Sequence, residues 1–334
     1  MHAIFIFFSV LATATFSHAQ RDLLPENSFP ISDFLFPLDQ ISDLRLQNNR
    51  IAMLHGGGRT VSVYRLASGS LVEEFSFSGF GGFGPHAFSL SDERLFVSGN
   101  ETAFVFRRQL DRWSMEFVLP SQGLVGAMSG QTLILHVPFR LPRLFSTFDL
   151  SQVAAPGFGA FRVPSFLPSL NRALHLDGHR VAIEGSSLLG NGSSIHIYSR
   201  DDLGWFPEGE VVPDRLIEVG VNIRALELSD NVMAFTDQEV GTFIFERFQD
   251  GWQEAGFIDI PYGDVQSLLG RCLLAGQTVF VRKKNGQWIP RITLEGDFVR
   301  DGVLSHDKVI ATEGLFEDQR LVVYRLPKAV QGHM

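Results

Sequence analysis

The chain has 334 residues, 45% of them hydrophobic, with 37 acidic against 28 basic side chains and a formal net charge of −9. An acidic chain without basic runs lacks the cations that neutralise nucleic-acid phosphates or grip an anionic membrane surface, which excludes both as electrostatic partners. A single cysteine, Cys272 in the apolar run Cys272-Leu273-Leu274-Ala275, excludes an intramolecular disulfide and reads as a packing residue.

Residues 4–16 form a short apolar run, followed by Ser17-His18-Ala19 with small residues where a signal peptidase reads. This pattern predicts a secretory signal removed near Ala19, and the run is shorter than the roughly 20 apolar residues of a membrane span. Only His2 and the α-amino group precede the run, and no cysteine near the cleavage site offers a lipid anchor. The mature protein is therefore expected to be secreted or periplasmic, monomeric and without an integral membrane segment. Residues 20–30 read as a leader, 31–328 as one folded domain and 329–334 as a tail.

Along the domain a short apolar strand returns after a polar turn. It stands as Ile51-Ala52-Met53-Leu54, Leu95-Phe96-Val97, Thr132-Leu133-Ile134-Leu135 and Val181-Ala182-Ile183. Three later copies are Val232-Met233-Ala234-Phe235, Cys272-Leu273-Leu274-Ala275 and Val309-Ile310-Ala311. Seven copies at a mean spacing of about 43 residues mark a repeat architecture. A shorter strand precedes each, as in Leu44-Arg45-Leu46, Phe88-Ser89-Leu90, Leu174-His175-Leu176 and Leu226-Glu227-Leu228. An alternating strand follows, closing on an aromatic and a basic residue in Val63-Tyr64-Arg65, Val105-Phe106-Arg107 and Phe245-Glu246-Arg247. After a turn comes a fourth strand, and all four tryptophans of the chain, Trp113, Trp205, Trp252 and Trp288, open it. No amphipathic helix interrupts the series. Four short strands per unit, repeated seven times and separated by Gly, Asn, Asp, Ser and Pro clusters, predict an all-β, seven-bladed β-propeller.

The two ends agree with a closed ring. The seventh unit stops at Arg325-Leu326-Pro327, after its third strand, and Phe34-Leu35-Phe36-Pro37 near the N-terminus resembles the fourth strands ending at Pro120 and Pro261. The expectation is that this N-terminal strand completes the last blade and leaves fewer open strand edges.

The run of strand, aromatic, Arg, turn, Trp, strand and Pro resembles the FG-GAP-type propellers, which include the integrin α-subunit heads and many exported bacterial proteins. It stands here from Phe104-Val105-Phe106-Arg107-Arg108 through Trp113 to Pro120, and from Phe243-Ile244-Phe245 through Trp252 to Pro261. The resemblance implies a propeller that binds ligands. The family's calcium loop is not present: Leu176-Asp177-Gly178 and Gln249-Asp250-Gly251 lack the carboxylate series that Ca²⁺ needs, so no metal site is carried over.

Three motifs have plainer readings. Gly79 to Gly84 matches the dinucleotide fingerprint in letters, but Pro85-His86-Ala87-Phe88 leads into a strand and not into the helix that would hold a pyrophosphate. His55-Gly56-Gly57-Gly58 resembles an esterase oxyanion motif without the G-x-S-x-G elbow that must accompany it, and reads as a turn. His55, His136 and Glu313 share one repeat position and could converge on one face, yet metal binding needs three or more well-placed ligands. No cofactor is indicated. Asn100-Glu101-Thr102 and Asn191-Gly192-Ser193 are glycosylation acceptors in a eukaryotic secretory pathway and plain turns in a bacterium.

Binding residues favour loops on a rigid scaffold. Three second-to-third-strand loops are long: 138–144, 185–194 and 313–320. The first sets Phe139, Arg140 and Arg143 on a Pro-stiffened segment suited to a protein, peptide or glycan ligand. Two rivals stand beside this binding-module reading. One is a propeller hydrolase or lyase with acid/base groups among His55, His136, Glu184 and Glu313, and the other is a structural module of a cell-surface assembly.

Overall fold

The second strand of each unit is apolar on both faces because each face meets a neighbouring blade. In blade one, Ile51 and Met53 turn toward Ile310 and Val323 of blade seven, while Ala52 turns toward Leu95 and Val97 of blade two. Blades four and five repeat this: Val181 and Ile183 face blade three where Ala182 faces blade five, and Met233 and Phe235 face blade four where Ala234 faces blade six. Apolar burial among the described residues is thus divided into seven clusters, one at each blade boundary. Side-chain alternation in a strand is what lets one blade feed two cores.

The computed structural model describes residues 21–30, 41–78, 87–99, 102–120, 126–137, 143–151, 157–163, 173–186, 193–217, 221–237, 239–259, 264–296, 299, 301–314 and 318–334. Their strands form seven sheets over residues 43–77, 87–120, 126–163, 174–211, 223–258, 265–294 and 302–325. Within a blade the strands pair in chain order, and first strands of successive blades touch round the ring. The last of them, Gly302–Leu304, returns to the first, Asp43–Gln47. The protein is a seven-bladed β-propeller of four-stranded antiparallel blades.

The ring is closed by a different strand from the one expected. Asn27–Pro30 pairs antiparallel with Arg320–Arg325 and takes the fourth place in blade seven, whereas Phe34 to Pro37 lies outside the described residues. Just before it, Arg21–Leu23 adds a fifth strand to blade six, parallel to Trp288–Leu294. The segment read as a leader therefore straps two blades. The C-terminal tail also belongs to the fold: Lys328–Gln331 makes one helical turn, Val330 is buried at the boundary of blades six and seven, and Arg271 N donates to His333 O at 2.9 Å. Residues 1–19, the expected signal, lie outside the described residues. No helix among the described residues is long and apolar enough to cross a membrane.

The repeated tryptophan and the basic residue opposite it form a clasp between blades. Trp113, Trp205, Trp252 and Trp288 stand across from Arg108, Arg200, Arg247 and Arg282. The Trp252 and Trp288 indoles lie against Gly209 and Gly256 of the preceding blade, where a Cβ would meet them at 3.6 and 3.2 Å. The opposing arginines reach the same preceding blade, Arg108 to Glu74, Arg247 to Glu208 and Arg282 to Glu246.

A β-bulge in the fourth strand supplies the second half of this device. It throws Glu74, Glu116 and Glu208 out of register and aims them at Arg50, Arg94 and Arg180, each the first residue of its blade's second strand. Re-aiming a side chain is what bulges do. Burial alone would push the Glu74 and Glu208 carboxyls up; the surrounding guanidinium groups, with the Ser199 hydroxyl at Glu208, hold both below the usual range. Blades five and six, with Val232 and Cys272 in place of the arginine, carry Ala255 and Arg291 at the bulge. Cys272 is buried there, and burial pushes its thiol up to about 12.

Candidate functional site

The seven first strands line a central channel of about 1140 Å³. Where Ala occupies the second strand, the facing first-strand position has room for a long side chain: Arg45 stands opposite Ala52, His175 opposite Ala182 and Glu227 opposite Ala234. The same position holds Ser89, Ala127, Ser267 and Val303 in the other blades, opposite bulkier partners. Blades one, four and five therefore put charge on the channel wall.

Asp43 Oδ1 accepts from Arg45 Nη1 at 2.6 Å and from Leu44 N at 2.7 Å. The Arg45 guanidinium lies 5.2 Å over the centre of the Phe88 ring of blade two, within cation–π range. From the far side of the ring, His175 Nδ1 sits 3.5 Å from Glu227 Oε1, and Arg224 Nη1 is 3.6 Å from Asp264 Oδ1. These side chains keep contact with channel solvent, 44% of Arg45 and 29% of His175 being exposed, although protein surrounds them on all sides.

The channel's electrostatics follow from that enclosure. Burial raises the Asp43 carboxyl above its ordinary value, Arg45 and Leu44 N–H pull it back, and the Glu227 carboxylate adds to the rise. Arg45 is held above its usual value because Asp43, Glu227 and Asp301 outweigh the effect of burial. His175 is raised because the Glu227 carboxylate likewise outweighs burial, with Arg45 opposing and Asp177 assisting. Carboxylates set the potential at this height of the channel.

The residues singled out from sequence are not brought together on that wall. His55 is buried within blade one, its Nε2 2.8 Å from Ser62 Oγ, and Gly56, Gly57 and Gly58 beside it make a tight left-handed turn with φ of 64°, 66° and 75°. Glu313 is buried in blade seven beside Gly296, and Glu184 is buried in blade four. His136 pairs with Phe145 in blade three and Arg143 with Val163, with their side chains outside the described residues. Phe139 and Arg140 also lie outside them, as do Asn100, Asn191 and residues 79–84. Neither His55 nor Glu313 lines the channel. Among the described residues no three His, Cys, Asp or Glu side chains gather to hold a metal ion.

No family model matches the chain, and a search of curated proteins finds none similar to it in sequence. Solved structures do match. A chain of the mitotic checkpoint complex is 13% identical, covers 98% of this chain and 99% of its own, and superposes with a TM-score of 0.64. KlAtg21, solved with the coiled coil of AgAtg16, gives 11% identity, 87% and 96% coverage and 0.60. The computationally designed protein Ika8 gives 12%, 92% and 100%, and 0.55. What they share with this chain is the fold.

The channel residues were visible in the sequence as the polar middles of Leu44-Arg45-Leu46, Leu174-His175-Leu176 and Leu226-Glu227-Leu228. What marks them as a site is their common place on the axis. Chemically, the wall offers paired opposite charges and an aromatic face, which suits recognition of charged groups.

Proposed function

We propose that this protein is an exported interaction module that receives a charged segment of a partner protein or peptide at the channel. The observation that carries this is the arrangement of Asp43, Arg45, His175 and Glu227, from three different blades, on one solvent-filled wall. Charges so enclosed cost stability unless paired, and the ring places them where a ligand can reach them. Two of the similar propellers were solved in protein assemblies, the mitotic checkpoint complex and the KlAtg21 complex with a coiled coil, which supports the same use here. A binding habit also suits the FG-GAP-type likeness of the tryptophan-bearing repeat. Export rests on residues 4–19.

The test is a pull-down from the native extracellular or periplasmic fraction, using the full-length protein, an Arg45→Ala/Glu227→Ala variant and an Arg140→Ala/Arg143→Ala variant. The expected result is one partner retained by the first and third and lost at least tenfold by the channel variant. Failure of any protein to be specifically retained, or equal retention by the channel variant, contradicts the proposal. N-terminal sequencing of the exported protein is expected to begin at Gln20.

A further inference from the structure

We propose that the channel binds an organic cation, an ammonium or guanidinium group, anchored at Glu227 in competition with protonated His175. The inference rests on the channel reading above and names the chemistry of its ligand.

Among the described residues, the fixed charges on this stretch of wall do not balance. Asp43, Glu227 and Asp264 face two guanidinium groups, Arg45 and Arg224, and each of those already has an aspartate within 3.6 Å. The third wall arginine among the described residues, Arg94, turns away from the channel into a buried pair with Glu116. Glu227 is matched within 4 Å only by His175 among the described residues, a group that loses its charge as pH rises. A cleft with low-dielectric walls and one excess sign concentrates ions of the other sign. The wall already shows the chemistry in use: the Arg45 guanidinium lies between the Asp43 carboxylate and the Phe88 ring face. At about 1140 Å³ the channel also has space for an aminoalkyl chain from outside.

His175 gives the site its pH dependence. The charged groups acting on it are Glu227 from blade five, Arg45 from blade one and Asp177 on its own strand, with Glu227 dominating. Below the raised pKa of His175, the imidazolium neutralises Glu227 and the external cation is displaced. Above it, Glu227 is open to the ligand. Cation affinity therefore rises with pH across this transition, and by linkage a bound cation lowers the His175 pKa.

Two probes separate the sources of such a group: spermidine for a free polyamine, and a capped glycine-serine heptapeptide with one central lysine for a protein side chain. Calorimetric titration of the full chain at pH 8.0 is expected to show binding of at least one probe. Affinity should be several-fold weaker at pH 5.5 and at least tenfold weaker in Glu227→Gln at pH 8.0. His175→Gln should keep the binding and flatten its pH dependence. Histidine NMR of the unaltered protein supplies a readout that needs no variant: the His175 titration should move to lower pH when the probe is present. Absence of binding by both probes at millimolar concentration, unchanged affinity in Glu227→Gln, or an unmoved His175 titration overturns the inference. A partner protein that is lost with the Arg45→Ala/Glu227→Ala variant while neither amine binds would overturn the cation site and leave the interaction module standing.

Discussion

Deleting residues 21–30 is expected to remove most of the stability of the ring, and a ten-residue peptide of the same sequence is expected to restore part of it in trans. Asn27–Pro30 closes blade seven through four residue pairs with the strand ending at Arg325, and Glu26 N adds a bond of 2.8 Å to Val323 O. Phe29 packs against the cluster joining blades seven and one, and Leu23 against the cluster joining six and seven. At about 1.5–3 kcal/mol for a fully buried side chain of this size, these two partly buried residues contribute on the order of 2–4 kcal/mol. Each backbone bond returned to water removes about 1 kcal/mol more. Against a typical total of about 5–15 kcal/mol, that is a large share. The deletion also bares the outer edges of two sheets, so aggregation should accompany the loss. Thermal melting and light scattering read both effects, and deletion of residues 21–23 alone should do clearly less harm.

The second large effect is expected at Arg94. Its side chain is 3% exposed, its Nε and Nη2 fork onto Glu116 at 2.7 and 3.0 Å, and its remaining donors reach Gln131 Oε1 and Leu150 O of the next blade. Arg94→Met leaves Glu116 partly buried, with Arg107 at 3.4 Å as its remaining cation, and strips two acceptors in blade three. Breaking one side of a buried pair typically costs about 3–5 kcal/mol, whereas replacing both sides by apolar groups is often near neutral. Arg94→Met should therefore be far more damaging than Arg94→Met/Glu116→Met, and Arg94→Lys should not rescue, because an ammonium cannot fork. The exposed pair between Arg325 and Glu26, at 3.1 Å, is the contrast: Arg325→Met should change stability by less than about 1 kcal/mol. Denaturant titration of the four variants decides it.

The repeat was legible because propeller physics writes itself into local sequence. A strand packed on both faces must be apolar throughout, which is why Ile51-Ala52-Met53 and its copies stand out. The tryptophan register was legible too, since a large ring is repeated only where each neighbour leaves space, as Gly209 and Gly256 do. Ring closure was legible in kind but not in place. Phe34 to Pro37 and Asn27–Pro30 both end in Phe-Pro, and local pattern cannot choose between two segments that could satisfy the same open edge. The basic residues at the end of the third strand were seen, whereas the reach of Arg108 and Arg247 to a glutamate in the preceding blade depends on the ring.

The candidate site was less legible for a related reason. Arg45, His175 and Glu227 lie about 50 to 180 residues from one another, and nothing local says that first strands share an axis. In the sequence the long loops stand out by length, and His55, His136 and Glu313 by their shared repeat position. That position places His55 and Glu313 inside blades, His55 beside Ser62 and Glu313 beside Gly296. The informative signal was a polar residue between two leucines, opposite alanine.

Hydrogen exchange of the full chain at pH 8.0, with and without saturating spermidine or the lysine peptide, tests most directly the claim that the channel wall binds an organic cation. Slowed exchange is predicted in residues 173–177 and 223–229, which carry His175 and Glu227, with the fourth strands of the blades unchanged. Protection confined to the outer strands, or to no segment with either probe, would contradict it.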